Sequence, residues 1–306
     1  MKIRVLLATL SVLLILSSAL MMSGCRNDNT ESKSVVVTHS ILGSVVKELV
    51  GDEATVTVLI PNGSDLHDWE PSARDIEKVN QAGLVVRNGL NLEQGLEATL
   101  ASAENQGVKL FTATDYITVR HVGLGEGIPG DDPDQQIGAA DPHFWVDPVA
   151  MKSVVTALAA ELKATIGINV DVRAADLETR LDSLNSEITA LVAGVAPDDR
   201  KLVTGHESMG YFADRYSFQL VGAVIPNLST QAEVSAADIA ALIKLIKANP
   251  VKAIFAESGT SAAVVQTVSD ATGVQIVELT THRLAADGSY FTFMSNLAVT
   301  IADALK

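Results

Sequence analysis

The chain has 306 residues and a formal charge of −15, from 22 Lys and Arg against 37 Asp and Glu. Phosphate recognition needs clustered cations, so this balance argues against a nucleic-acid partner while remaining compatible with a cation ligand. Hydrophobic residues make up 47% of the sequence, enough for substantial cores, and the length suits two domains.

In chain order, residues 1–24 read as a secretory leader. Lys2 and Arg4 precede the apolar run "VLLATLSVLLILSSALMM", and small residues lead into Cys25. The "MSGC" at its end resembles the bacterial lipoprotein cleavage box, with Met22 where Leu is more usual. The rival reading, an uncleaved anchor helix, has an apolar stretch barely long enough to span a bilayer. Cys25 is the only cysteine, so the chain can form neither an intramolecular disulfide nor a Cys-rich zinc cluster. Its position predicts lipidation. Residues 25–34 then read as a flexible tether, placing the body outside the cytoplasm, on the cell surface or in a periplasm.

From residue 35, short β-branched runs alternate with helical stretches: "SVVVTH", "ATVTVLIP", "LVVRNG" and "VKLFTA" are separated by helices. This pattern predicts βαβ crossovers and a parallel sheet, an N-terminal α/β lobe over 35–146. The helix after "GSDLHDWEP" starts either with Pro71 in its first turn or with a Ser72/Asp75 capping box. Residues 147–198 are helical throughout. Leu177, Leu181, Leu184, Ile188 and Leu191 mark one apolar face of a long linker helix. A second α/β lobe, 199–306, is read from "KLVTGH", "QLVGAVIP", "VKAIFAE" and "VQIVELTTH", with Ser235 as a helix N-cap. The loop 121–141 is rich in Gly, Asp and Pro and has no periodicity.

Against this map the histidines take positions. His67, His206 and His282 each follow the carboxyl end of a predicted strand, and His143 lies between the acidic loop and the first middle helix. Ligands of open α/β sheets bind outside the carboxyl ends of their strands. Two facing lobes would therefore bring four imidazoles into one cleft, a donor set suited to a tetrahedral divalent ion. His39 directly precedes a helix, which makes it more a local hydrogen-bonding group than a ligand, and His121 ranks lower still.

"GSDLHDWEPSARDIEKVNQAGLVVRNGLNLE", "DPHFWVDP", "VTGHESMGYFADRY" and "DGSYFTFMSNLAVTIADAL" resemble, in order, signatures of the zinc/manganese solute-binding proteins of ABC importers. That family includes chains once described as adhesins. The resemblance implies an α/β fold of two parallel-sheet (β/α)4-like lobes bridged by a long helix, with the metal site in the interlobe cleft. It implies His67, His143 and His206 as the first three ligands. Family members usually carry Asp at the fourth ligand position, where this chain aligns His282, leaving His282, a nearby carboxylate such as Asp287, or water. The loop 121–141 also lacks the His-rich character of many zinc-specific members.

Zinc is favoured over manganese because imidazole suits zinc whereas manganese prefers oxygen donors. Asp65, Asp68, Glu70, Asp141 and Glu207 are the acids near enough in sequence to orient ligand imidazoles. The expected activity is capture of one ion by a monomer and delivery to a membrane permease, through loop reordering rather than wide hinge closure. Affinity is expected to fall as pH drops through about 6.5. The alternatives are an exported zinc hydrolase using Glu70 or Glu207 as base, and a receptor for a non-metal solute. No HExxH helix supports the hydrolase.

Overall fold

The computed structural model describes residues 33–123, 126 and 137–306. The predicted leader, Cys25, nearly all of the tether and most of the 121–141 loop lie outside the described residues. Among the described residues, no helix is long and apolar enough to cross a membrane.

The first sheet is four-stranded and parallel, built from β1 (Ser34–His39), β2 (Thr55–Ile60), β3 (Leu84–Arg87) and β4 (Leu110–Thr112) in the order β2-β1-β3-β4. Its central strands read as unbroken apolar runs because helices cover both faces of a parallel sheet. Val35, Val36 and Val37 of β1 and Leu84, Val85 and Val86 of β3 are all buried. The helix Ala73–Asn80 opens on the Ser72/Asp75 capping box, both of whose reciprocal bonds form, leaving Pro71 outside it.

The second half differs from a continuous four-stranded sheet. β5 (Lys201–Thr204) pairs in parallel with β6 (Gln219–Ala223), and β7 (Ala253–Ala256) with β8 (Gln275–Glu278), as two separate two-stranded sheets. β5 packs beside β7. At the ends of these strands the Gly205 N–H donates to the Glu257 carboxylate, a side chain standing where a continuous ladder would offer a backbone carbonyl. Ser235 and Asp238 form a second complete capping box, opening the helix Ala236–Ala248.

Two helices, Pro148–Ile166 and Asp171–Val192, fill the middle, joined through Gly167 in the left-handed region. The second, the linker helix, is 22 residues long, about 33 Å. It buries Leu177, Leu181, Leu184 and Ile188, while Leu191 is half-buried. The last helix, Tyr290–Leu305, follows β8 in sequence but packs against the linker helix and the first helix, Ser40–Val50. Ser44 fastens it: its hydroxyl donates to Gly288 O (2.7 Å) and accepts from the Tyr290 N–H (3.1 Å). One large core therefore unites the first sheet, both middle helices and the closing helix. A smaller one, around Val203, Val221, Leu242, Ile254 and Val268, belongs to the second half.

Candidate metal centre

Each of the four histidines sits on a loop leaving one of these elements. His67 follows β2, His206 follows β5, and His282 follows β8; His143 immediately precedes the short turn Phe144–Val146 that leads into the Pro148–Ile166 helix. The fold brings all four together in the interior, where each is buried. One ring nitrogen from each lies within 4.8 Å of the other three. The Nε2 atom of His143 is 3.4 Å from that of His67 and 3.3 Å from that of His206. A regular tetrahedron with metal–nitrogen bonds of about 2.0–2.1 Å has edges of about 3.3 Å. His282 completes the group, its ring centroid 5.2 Å from that of His206, and neither of its nitrogens has a protein hydrogen-bond partner.

The other nominated positions lie elsewhere. Asp287 is at the surface, accepting from the Ser289 N–H and the Thr292 hydroxyl at the start of the closing helix. His39 is buried behind Trp145, ring centroids 5.4 Å apart, and its Nδ1 caps the first helix by accepting from the Leu42 N–H. His121 is exposed, bridged to Ala140 in a short antiparallel contact.

Around the imidazoles stand three carboxylates with distinct tasks. Asp141 accepts from both the backbone N–H and Nδ1 of His143, each at 2.9 Å, fixing the tautomer that leaves Nε2 free. Arg120 reaches the other Asp141 oxygen at 3.4 Å and also pairs with Glu126 and Asp214. Asp65 accepts from the His67 N–H at 3.0 Å. Glu257, fully buried, lies 3.1 Å from His206 Nδ1, without the alignment of a full hydrogen bond, and accepts from Gly205 N–H, Ser208 Oγ and Thr281 Oγ1. Burial alone would raise its pKa. The neighbouring His206 and these hydrogen bonds outweigh that and hold it below the ordinary carboxylate value. Trp145 closes one wall, its ring 5.2 Å from His143, and its indole N–H donates to Thr281 O at 3.0 Å.

Glu207, next to His206 in sequence, turns away into a small cavity with Arg120, Glu126 and Leu220. Burial, then the charges of Asp141 and Glu126, push its carboxyl up to about 8. Facing that cavity rather than the imidazoles, it is not placed to act as a base at the histidine cluster. Glu70 lies against the turn at Gly95. The carboxylate beside His206 is thus Glu257, fifty-one positions away, which sequence adjacency missed. The signal that could have found it is its place just past β7, at the same sheet edges as the histidines.

Imidazole can bind a metal only when neutral, and His67, His143 and His282 are shifted toward that form. Burial, then the neighbouring His143 and His206, keep His67 well below its ordinary value. Burial, then His206, His67 and His143, do the same to His282. Burial also lowers His143, although Asp141 opposes it. Among the described residues no Lys or Arg pairs with Glu257, whereas Arg120 pairs with Asp141, so Glu257 is placed to balance charge arriving among the imidazoles. Glu257→Gln is expected to weaken metal binding about 10- to 100-fold, the usual cost of losing an outer-shell partner. Competition against a chromophoric chelator measures this, and an unchanged affinity would remove Glu257 from the site.

Comparison with known proteins bears on this arrangement. The chain is 28% identical over 304 residues to the iron ABC transporter substrate-binding lipoprotein MtsA of Streptococcus pyogenes, covering 94% of this chain and 93% of the relative. It is 26% identical to the manganese ABC transporter substrate-binding lipoprotein PsaA of Streptococcus pneumoniae, covering 91% and 90%. Among solved structures, the periplasmic zinc-binding protein TroA of Treponema pallidum superposes with a TM-score of 0.76 at 24% identity, covering 89% of this chain and 98% of TroA. The manganese-bound periplasmic metal-binding protein of Candidatus Liberibacter asiaticus gives 0.73 at 22%, covering 89% and 99%. These two likenesses establish the two-lobed α/β fold. The family model for ZnuA, the zinc-uptake complex component A periplasmic, matches residues 35–304, and the chain belongs to that family.

Proposed function

We propose that this protein is the extracytoplasmic receptor of an ABC importer, binding one divalent transition-metal ion through His67, His143, His206 and His282, with zinc preferred. The observation that carries the reading is the buried cluster of four imidazole nitrogens within 4.8 Å of one another, which no carboxylate joins among the described residues. Its 3.3 and 3.4 Å nitrogen separations match the edge of a zinc tetrahedron. Relatives are named for iron and manganese, and a solved neighbour for zinc. The donor set is what favours zinc here, because manganese is better served by oxygen. Family membership makes the chain a component of an uptake system rather than an enzyme. Its place in such a system implies a membrane permease as partner, and Cys25 is the proposed point of lipid attachment to the bacterial membrane.

Titration of the soluble body with zinc and manganese in competition tests this. One tight zinc per chain, not displaced by excess manganese, is expected. His282→Ala is expected to retain one zinc with affinity lowered by at least about 10-fold, since three imidazoles and water would remain. Manganese preferred over zinc would overturn the metal assignment. Wild-type affinity in His282→Ala would move the fourth ligand elsewhere.

A further inference from the structure

An open cleft of about 240 Å³ leads from the surface to the histidine cluster, walled by His67, Leu90, Asn91, Gln94, Pro142 and Ser229 among others. Of the four histidines, His67 alone lies on its wall. Its polar groups there, Asn91, Gln94 and Ser229, are neutral and can replace waters of a hydrated cation without trapping it.

The two rims of this cleft differ in kind. One is the turn Gly89–Leu90–Asn91, with φ of 99°, 54° and 59°. Two side-chain-bearing residues in succession adopt the left-handed region only when their surroundings hold them there. Glu93 does so, accepting from the Asn88 N–H at 2.6 Å and the Gly89 N–H at 3.3 Å. This rim is a fixed jamb. The other is the segment 227–231 after β6, from the opposite half of the molecule. Its inner end is tied to the second half, Asn227 O accepting from the Glu207 N–H (3.0 Å) and the Asn227 N–H donating to Ile225 O (2.8 Å). Its outer part is held only within itself, by Ser229 N–H to Asn227 Oδ1 (2.7 Å), Gln231 N–H to Ser229 Oγ (3.3 Å) and Ala232 N–H to Ser229 O (3.4 Å). Two side-chain bonds cross to the first half. Gln94 Nε2 donates to Ser229 Oγ at 3.2 Å, and Thr230 Oγ1 donates to Asp65 Oδ2 at 2.7 Å. The other Asp65 oxygen is the one that accepts from the His67 N–H.

We infer that Ser229 and Thr230 form the gate of the ion's path and that Asp65 is a positioning residue coupling this gate to His67. One carboxylate holds the strap with one oxygen and the ligand loop with the other, so freeing the strap loosens the single ligand on the exit wall. The ligand class is the divalent transition ion itself, and the inference rests on the ion-binding reading above.

The test is the rate at which zinc-loaded protein yields its ion to excess chelator in a stopped-flow mixer. Thr230→Val is nearly isosteric and removes only the hydroxyl given to a charged acceptor. It is expected to release zinc about tenfold faster, with association unchanged. Thr230→Ser is expected to restore the slow rate, and Gln94→Ala to accelerate release independently. A merely structural role would lower the urea midpoint of the metal-free variant without moving the release rate. Wild-type release from folded Thr230→Val, or failure of Thr230→Ser to rescue, overturns the gate while leaving the receptor reading intact. A wild type that binds no zinc removes both.

Discussion

His143→Ala is expected to lower zinc affinity by at least about a thousandfold, well beyond the 10–100-fold typical of losing an outer-shell partner. His143 is the hinge of the cluster, its Nε2 within 3.4 Å of both His67 and His206. It is also the ligand most firmly held, because Asp141 takes both its backbone N–H and its Nδ1. Truncation removes one donor and leaves Asp141 with Arg120 as its remaining ionic partner. It also opens space beside Trp145, which packs on the imidazole. Elemental analysis after gel filtration and a chelator competition would both report the loss. Retention of one tight zinc in this variant would mean that the ion sits elsewhere and would sink the four-histidine site.

The second large effect is loss of stability in acid by the metal-free protein. Burial pushes His39 down to about 4, offset only in part by the nearby Asn88 amide, and His67 and His282 stand well below the ordinary 6.5. Above pH 6.5 these imidazoles are neutral in both folded and unfolded chains and contribute no pH dependence. Below it the unfolded chain takes up protons that the folded one refuses, so stability falls as pH falls through 6.5 toward the lowered values. His39 alone accounts for about 3 kcal/mol between pH 6.5 and 4. Glu207 acts with the opposite sign. Raised from 4.5 to about 8, it binds a proton in the folded state that the unfolded chain has released, and stability drains away as pH rises through that interval. Glu93, also raised by burial, acts in the same sense as Glu207. Between 4.5 and 6.5 the four lowered histidines outweigh these two carboxyls, so the metal-free protein should be most stable near pH 6.5. Urea midpoints at pH 5, 6.5 and 8 would show this, and a midpoint unchanged from 6.5 to 5 would contradict it.

Metal binding itself is governed by the folded-state values alone. Because His67, His143 and His282 are all lowered, zinc affinity should hold down past pH 6.5 and fail only in stronger acid. The sequence alone places that fall at about 6.5, since unperturbed histidine is all that sequence can supply. The lowering comes from burial and from the imidazoles' nearness to one another, both products of the fold.

Short-range physics controls the features that were legible in the sequence. Val35, Val36 and Val37 announce a buried parallel strand, Ser72 with Asp75 and Ser235 with Asp238 announce helix starts, and the spacing of Leu177, Leu181, Leu184 and Ile188 announces the linker helix. Each depends on neighbours within one or two turns of chain. The positions of His67, His206 and His282 past strand ends were legible for the same reason, because parallel strands send their carboxyl ends to one side. Which groups meet depends instead on long-range packing. It put His282 rather than Asp287 beside the other imidazoles, and Glu257 rather than Glu207 beside His206. It carried Arg120 to Asp141, and it divided the second half into paired strands where Glu257 takes the Gly205 N–H. These contacts join residues tens of positions apart on separate loops. Where a loop side chain points follows from the packing of the elements on either side, which no local pattern encodes.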